Sequence, residues 1–180
     1  MPETVYSTYV PAPAAAVWAE VGDYSQASWA THVKKVTCLN VKNHADMCKV
    51  GCERVVTMQD GNECSETLEF YDPCNYKLVY SINDMPDKPK TGPFEGFKEG
   101  KMTIQVIPDT LNSSCVVQWR LQWDVTDTPS EEFTTSHLNK SMKALSEHFK
   151  SEPYHKYATP EGQAEIKQPI IEYRETFKVT

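Results

Sequence analysis

Several features that mark easily assigned functions are missing from this chain. No run of Lys and Arg interrupts an acidic balance of −7 at pH 7, and a pI near 5.2 would repel phosphate backbones and anionic membrane surfaces, so no nucleic-acid partner is expected. No apolar run approaches the roughly 20 residues that cross a bilayer, which argues against stable membrane insertion. Met1 to Tyr9 has neither the basic start nor the apolar stretch of a secretory leader, so the expected location is cytoplasmic. There is no phosphate-cradling glycine loop, no dinucleotide fingerprint and no Ser, His and Asp set at an informative spacing, and no cofactor is expected. Repeats and low-complexity tracts are also missing. Six cysteines are present, but without a leader and in a chain long enough to fold without staples they read as reduced thiols. His44, Cys48 and Cys52 recur every fourth residue, yet no second ligand pair follows, and no metal is expected. Cys52, Cys64 and Cys115 fall at inward strand positions, where a thiol serves as small apolar filler.

What is there suits one domain: 180 residues with 39% hydrophobic content can bury a substantial core. That domain is assigned to residues 1–150, with 151–180 as a C-terminal extension. The stretch Ser113 to Phe149 organises the rest. From Cys115 to Val125 the odd positions (Cys115, Val117, Trp119, Leu121, Trp123, Val125) are apolar and the even ones mostly polar, as in an antiparallel strand wet on one side. Thr128, Pro129 and Glu131 then supply a cap, a first-turn proline and a capping-box acid. The helix they start carries Phe133, Leu138, Met142, Leu145 and Phe149 on one stripe. An apolar sheet face joined to an apolar helix stripe predicts that the two enclose something.

Taken in order, Thr4 to Val10 reads as a strand, and Pro13 to Val21 as a short helix stopped by Gly22. Asp23 to Ala30 reads as a second helical turn, and Val33 to Val41 as the next strand. Gly51 to Met58 and Cys64 to Tyr71 flank a three-residue turn. Centring that turn on Gly61 sets Val56 opposite Glu66 and Arg54 opposite Leu68. The turn Asp72 to Asn75 then sets Leu68 opposite Leu78 and Glu66 opposite Tyr80. On this register Arg54, Val56, Met58, Glu66, Leu68 and Phe70 share one face, which Leu78, Tyr80 and Ile82 extend. Asn83 to Pro93 forms a long loop of the kind that covers sites. Met102, Ile104 and Val106 are the inward side of the strand after it. The residues from Ile171 to Val179 alternate like a terminal strand, which could pair with the sheet's own edge or with a second copy as a homodimer.

The element order resembles the helix-grip, START-like or SRPBCC superfamily, which includes polyketide cyclase-like proteins, the birch-pollen allergen family and the plant abscisic-acid receptors. The resemblance covers about residues 4–150. It rests on Val17 and Trp18 with Asp23 and Trp29, on Gly51 with Arg54, and on the stretch from Glu66 to Asp72. It implies an α+β fold, a seven-stranded curved antiparallel sheet wrapped on a long C-terminal helix with two short helices after the first strand. A cavity for a mostly apolar small molecule is implied between them. Glu66, Tyr80 and Trp119 correspond to positions lining the family's pocket. The segment Lys49 to Val56 looks most like the receptors' strand, but their Ser-Gly-Leu-Pro-Ala gate would fall near Gln59 to Glu63, where none of it appears. Their His-Arg-Leu latch is missing between Pro93 and Lys98, so hormone perception by gate and latch is not supported.

Two function classes follow. One is binding or carriage of a lipophilic, aromatic or isoprenoid-like molecule. The walls would be Arg54, Val56, Met58, Glu66, Leu68, Phe70, Tyr80 and Ile82. Phe94, Phe97, Trp119, Leu121, Trp123, Leu138 and Met142 would complete them. The other is a cyclase, aromatase or dehydratase in which Glu66, Tyr80 or His137 transfers a proton, with His32 a further candidate. An ionised Glu66 on an apolar face must be neutral, paired or wet. Arg54, one diagonal step away on the expected register, offers a pair that only fixes the sheet. The indoles of Trp119 and Trp123 both need acceptors, which makes a wholly dry, filled interior uncomfortable.

Overall fold

In the computed structural model, residues 2–39, 41–43, 46–83, 85, 99–123 and 138–151 are described. Their strands are β1 (Glu3–Val10), β2 (Val33–Leu39), β3 (Glu53–Met58), β4 (Glu63–Asp72), β5 (Lys77–Asn83), β6 (Gly100–Asp109) and β7 (Ser114–Trp123). Helix α1 (Ala14–Val21) follows β1, and α2 (Leu138–His148) follows β7. The strands form one antiparallel sheet in the order β1-β7-β6-β5-β4-β3-β2, so the first strand closes against the last and β2 lies at the other edge. Alternation does the sorting: Met102, Ile104 and Val106 on β6 and Cys115, Val117, Trp119 and Leu121 on β7 are all buried.

Pro13 precedes α1 in an extended conformation, and the Gly22 N–H closes the helix onto the Trp18 carbonyl at 2.7 Å. A Cβ on Gly22 would lie 2.5 Å from the Trp18 ring, so glycine is what lets the chain leave the helix so close to the indole. The expected second short helix does not form. Asp23 Oδ1 accepts both the Ser25 N–H and its hydroxyl, and Gln26 Oε1 accepts the Ser28 N–H, so side chains take donors that a helix would need. The segment runs instead through separate turns into β2, which ends at Leu39 and not at Val41.

Both expected hairpin registers are corrected by two residues. Met58 and Asn62 close a loop of Gln59, Asp60 and Gly61, with Gly61 at φ +91° in its last position. The turn therefore centres on Asp60, since the positive-φ glycine belongs at the exit of such a loop. Arg54 consequently faces Glu66, and Val56 faces Cys64. In the next pair Leu68 faces Tyr80 and Glu66 faces Ile82. A bulge between Leu68 and Phe70 then reverses the alternation. Phe70, expected inside, is 45% exposed, while Tyr71 turns toward Trp18 with ring centroids 5.6 Å apart.

Helix α2 buries Leu138, Ser141, Met142 and Leu145, and Phe149 beyond its end is fully buried. Ser146 Oγ donates to the Tyr9 carbonyl at 3.2 Å, tying α2 to β1. The expected helix start at Thr128 to Glu131, with Phe133 and His137, lies outside the described residues. So do Phe94, Phe97, most of the Asn83 to Pro93 loop, and the terminal strand.

Candidate ligand-binding site

A cavity of about 80 Å³ lies between the inner face of the sheet, the turns after α1 and the first turn of α2. Of the side chains expected at a binding site, Arg54, Val56, Met58, Glu66, Tyr80 and Ile82 line it, as do Trp119 and Leu138. Leu68, Leu121 and Met142 are buried without lining it. Trp123 is only partly buried near the end of β7. The pleat explains most of these places: inward positions of β3 to β7 converge on one concave face. The sequence reading missed the wall formed by Tyr24, Ala27, Trp29 and Ala30 after α1, together with Ser141; Leu78 and Met102, expected to face inward, line the cavity as well. Two large aromatics, Tyr24 and Trp29, in a turn segment are the signal the sequence offers for this wall.

One wall is polar. Arg54 donates from Nε to Glu66 Oε2 at 2.6 Å, and its Nη2 lies 2.6 Å from the same oxygen. Nη1 donates to the Tyr24 carbonyl at 2.8 Å, and the guanidinium carbon stands 3.9 Å from the centre of the Tyr24 ring. Burial opposes the charge on Arg54, but Glu66 and the two tyrosines outweigh it and hold its pKa above the ordinary value. Burial, reinforced by Glu66, raises the Tyr80 hydroxyl well above the usual phenol range, so Tyr80 is a neutral hydrogen-bonding group there. Tyr24 and Tyr80 stack with tilted rings 6.0 Å apart.

The opposite wall is aromatic. Trp29 meets Trp119 edge-on at 5.6 Å. The Trp119 indole N–H is buried with no acceptor among the described residues, and the Tyr24 hydroxyl is likewise without a partner. An unsatisfied buried donor typically costs about 1–3 kcal/mol. His32 lies where the turn meets α2, with Nε2 3.0 Å from Ser141 Oγ. Burial, then Lys140, lowers its pKa from the ordinary histidine value. Trp29 and His32 also border an open groove of about 680 Å³ on the outer side of α2. Among the described residues no group of three or more His, Cys, Asp or Glu is placed to hold a metal ion, and His44 lies outside them.

A curved sheet and a helix over an internal cavity define the helix-grip class. The profile of the family described as polyketide cyclase / dehydrase and lipid transport matches residues 1–151, and the chain belongs to this family, within the SRPBCC superfamily. No relative matches among curated proteins. A protein from Nitrosospira multiformis is similar in structure, with 22% identity, a TM-score of 0.68 and coverage of 84% of this chain and 98% of that one. A solution structure from Thermobifida fusca has 27% identity and a TM-score of 0.62, covering 83% of this chain and 94% of its own. Ara h 8.0201 shares the fold at 14% identity and a TM-score of 0.60, over 82% and 96% of the two chains.

Proposed function

We propose that the protein binds an apolar small molecule, aromatic or isoprenoid-like, in the cavity between the sheet and α2. The observation that carries this reading is a space left open in an otherwise close-packed interior, walled by indoles, phenols and Met58 and Met102. As it stands the cavity has room for two or three waters at about 30 Å³ each, or for about one small ring. The unbranched side chains of Met58 and Met102 can turn to widen it, and a longer molecule would continue past Trp29 and His32 into the outer groove. Leu138 and Ser141 bring α2 into the wall. Residues 1–150 carry the binding role. The protein works in the cytoplasm. No helix among the described residues is long and apolar enough to cross a membrane.

The test is NMR of methionine methyl groups during titration with methylenecyclopentane, a small apolar ring. Saturable shifts at Met58 and Met102 are expected. Saturation lost on filling the space with Met102→Trp would support the assignment. Met58 and Met102 methyl groups that stay unchanged at saturating probe would overturn it.

A second reading, proton transfer by Glu66, Tyr80 or His137 in a cyclase- or dehydratase-like reaction, draws support from the family's description and from Glu66 and Tyr80 sharing one wall. Against it, Glu66 Oε2 already accepts from two guanidinium nitrogens. Turnover of a polyketide-like substrate that survives Glu66→Gln and Tyr80→Phe together would remove both groups from that reaction.

A further inference from the structure

We infer that the molecule bound here carries a hydrogen-bond acceptor oxygen, a carbonyl or an ether, placed to receive the indole N–H of Trp119. This rests on the binding reading above and narrows its ligand class. Trp119 is 5% exposed and lines the cavity, and its N–H has no acceptor among the described residues. An indole nitrogen can only donate, so a purely hydrocarbon occupant would leave it unsatisfied and an ammonium group could not satisfy it. The position is also held firmly. Trp119 sits mid-strand, paired with Ile104 on one side and Tyr6 on the other, and Trp29 packs edge-on against its ring. A donor fixed by two strands and a second indole cannot swing to find a distant acceptor; the acceptor must come to it. The ionic groups of the cavity are already matched, because Arg54 is spent on Glu66 and the Tyr24 carbonyl. Of the cavity's neutral groups, the Tyr24 hydroxyl and the Trp119 N–H are without partners among the described residues; a hydroxyl can donate or accept, whereas the indole only donates, so it is the indole that selects an acceptor oxygen on an apolar body.

Two probes of nearly one shape separate the possibilities: cyclopentanone, and methylenecyclopentane, in which a CH₂ group replaces the oxygen. In the wild type both bind. Trp119→Phe keeps a ring and removes the donor; whatever the change in cavity shape does to both probes, it is expected to weaken cyclopentanone about tenfold more than methylenecyclopentane. Comparing the two proteins cancels the different hydration of the two probes. A measurement needing no variant accompanies it: in a ¹⁵N spectrum the Trp119 indole signal should move downfield with cyclopentanone and not with methylenecyclopentane. Equal weakening of both probes by Trp119→Phe, or an indole signal indifferent to the ketone, overturns this inference while leaving apolar binding intact. Failure of both probes to bind the wild type overturns the binding reading itself, and the inference with it.

Discussion

Arg54 and Glu66 stand directly across the β3–β4 ladder, and the Nε and Nη2 nitrogens of Arg54 converge on a single carboxylate oxygen at 2.6 Å. Both side chains are nearly buried, at 11% and 7% exposure. Removing one member leaves the other charge stranded, whereas removing both leaves two apolar groups facing each other. Glu66→Gln should therefore lower stability by about 3 kcal/mol, and the double change Arg54→Met with Glu66→Leu should recover most of that loss. Urea denaturation of Arg54→Met, Glu66→Leu and their double variant, beside Glu66→Gln, checks it; single losses that simply add in the double would contradict the pairing.

A pH effect follows from His32. Its pKa is depressed in the folded protein, by burial first and then by Lys140. The unfolded chain therefore binds the proton more readily, and stability rises with pH between the folded and unfolded values. Acidification from the ordinary histidine range, about 6.5, should cost stability until the folded pKa is passed, after which this contribution levels off. Lys140, Lys143, Glu147 and His148 line the same groove, so the relevant quantity is the wild-type stability profile minus that of His32→Asn. A difference that does not change with pH would refute the assignment.

Gly22 and Gly61 should fail differently when replaced by alanine. At Gly22 the new methyl would meet the Trp18 ring at 2.5 Å and the Trp18 carbonyl at 2.7 Å, so the helix exit must shift, at about 1–3 kcal/mol. At Gly61 nothing lies within 4 Å, and the cost comes only from φ +91°, about 1–2 kcal/mol. Trp18 fluorescence should change with Gly22→Ala and stay constant with Gly61→Ala.

The free thiols divide by access. Cys74 is exposed in the β4–β5 turn, whereas Cys115 is fully buried and burial pushes its thiol up to about 12. A thiol reagent at neutral pH should label Cys74 at once and Cys115 only on unfolding. Mass spectrometry of peptides after brief labelling would show it, and early modification of Cys115 would mean that β7 opens in the native state.

Much of the sheet was legible because period-two alternation is a local signal. The inward sides of β6 and β7, and the faces of β3 and β5, could be read residue by residue. Register was harder: placing Gly61 at the middle of its turn and not at the exit moved Arg54 two residues from its true partner. Since the error was even, every side chain kept its face, and the buried pair was anticipated with the wrong geometry. Phe70 failed for another reason. A bulge inserts one residue, an odd step, and no composition cue marks it between Leu68 and Phe70. The wall formed by Tyr24 and Trp29 was hidden because turns lack periodicity, and only tertiary folding brings them over the sheet.

The outer side of β2 has no strand partner among the described residues. Its run holds Lys34 and Lys35, both exposed, and its ladder to β3 slips between Val33 and Lys35. Ammonium groups beside an irregular ladder make a poor template for another molecule's backbone, so this margin resists stacking of one copy on the next. The acidic chain thus keeps part of its scarce positive charge where self-association into fibres would otherwise begin.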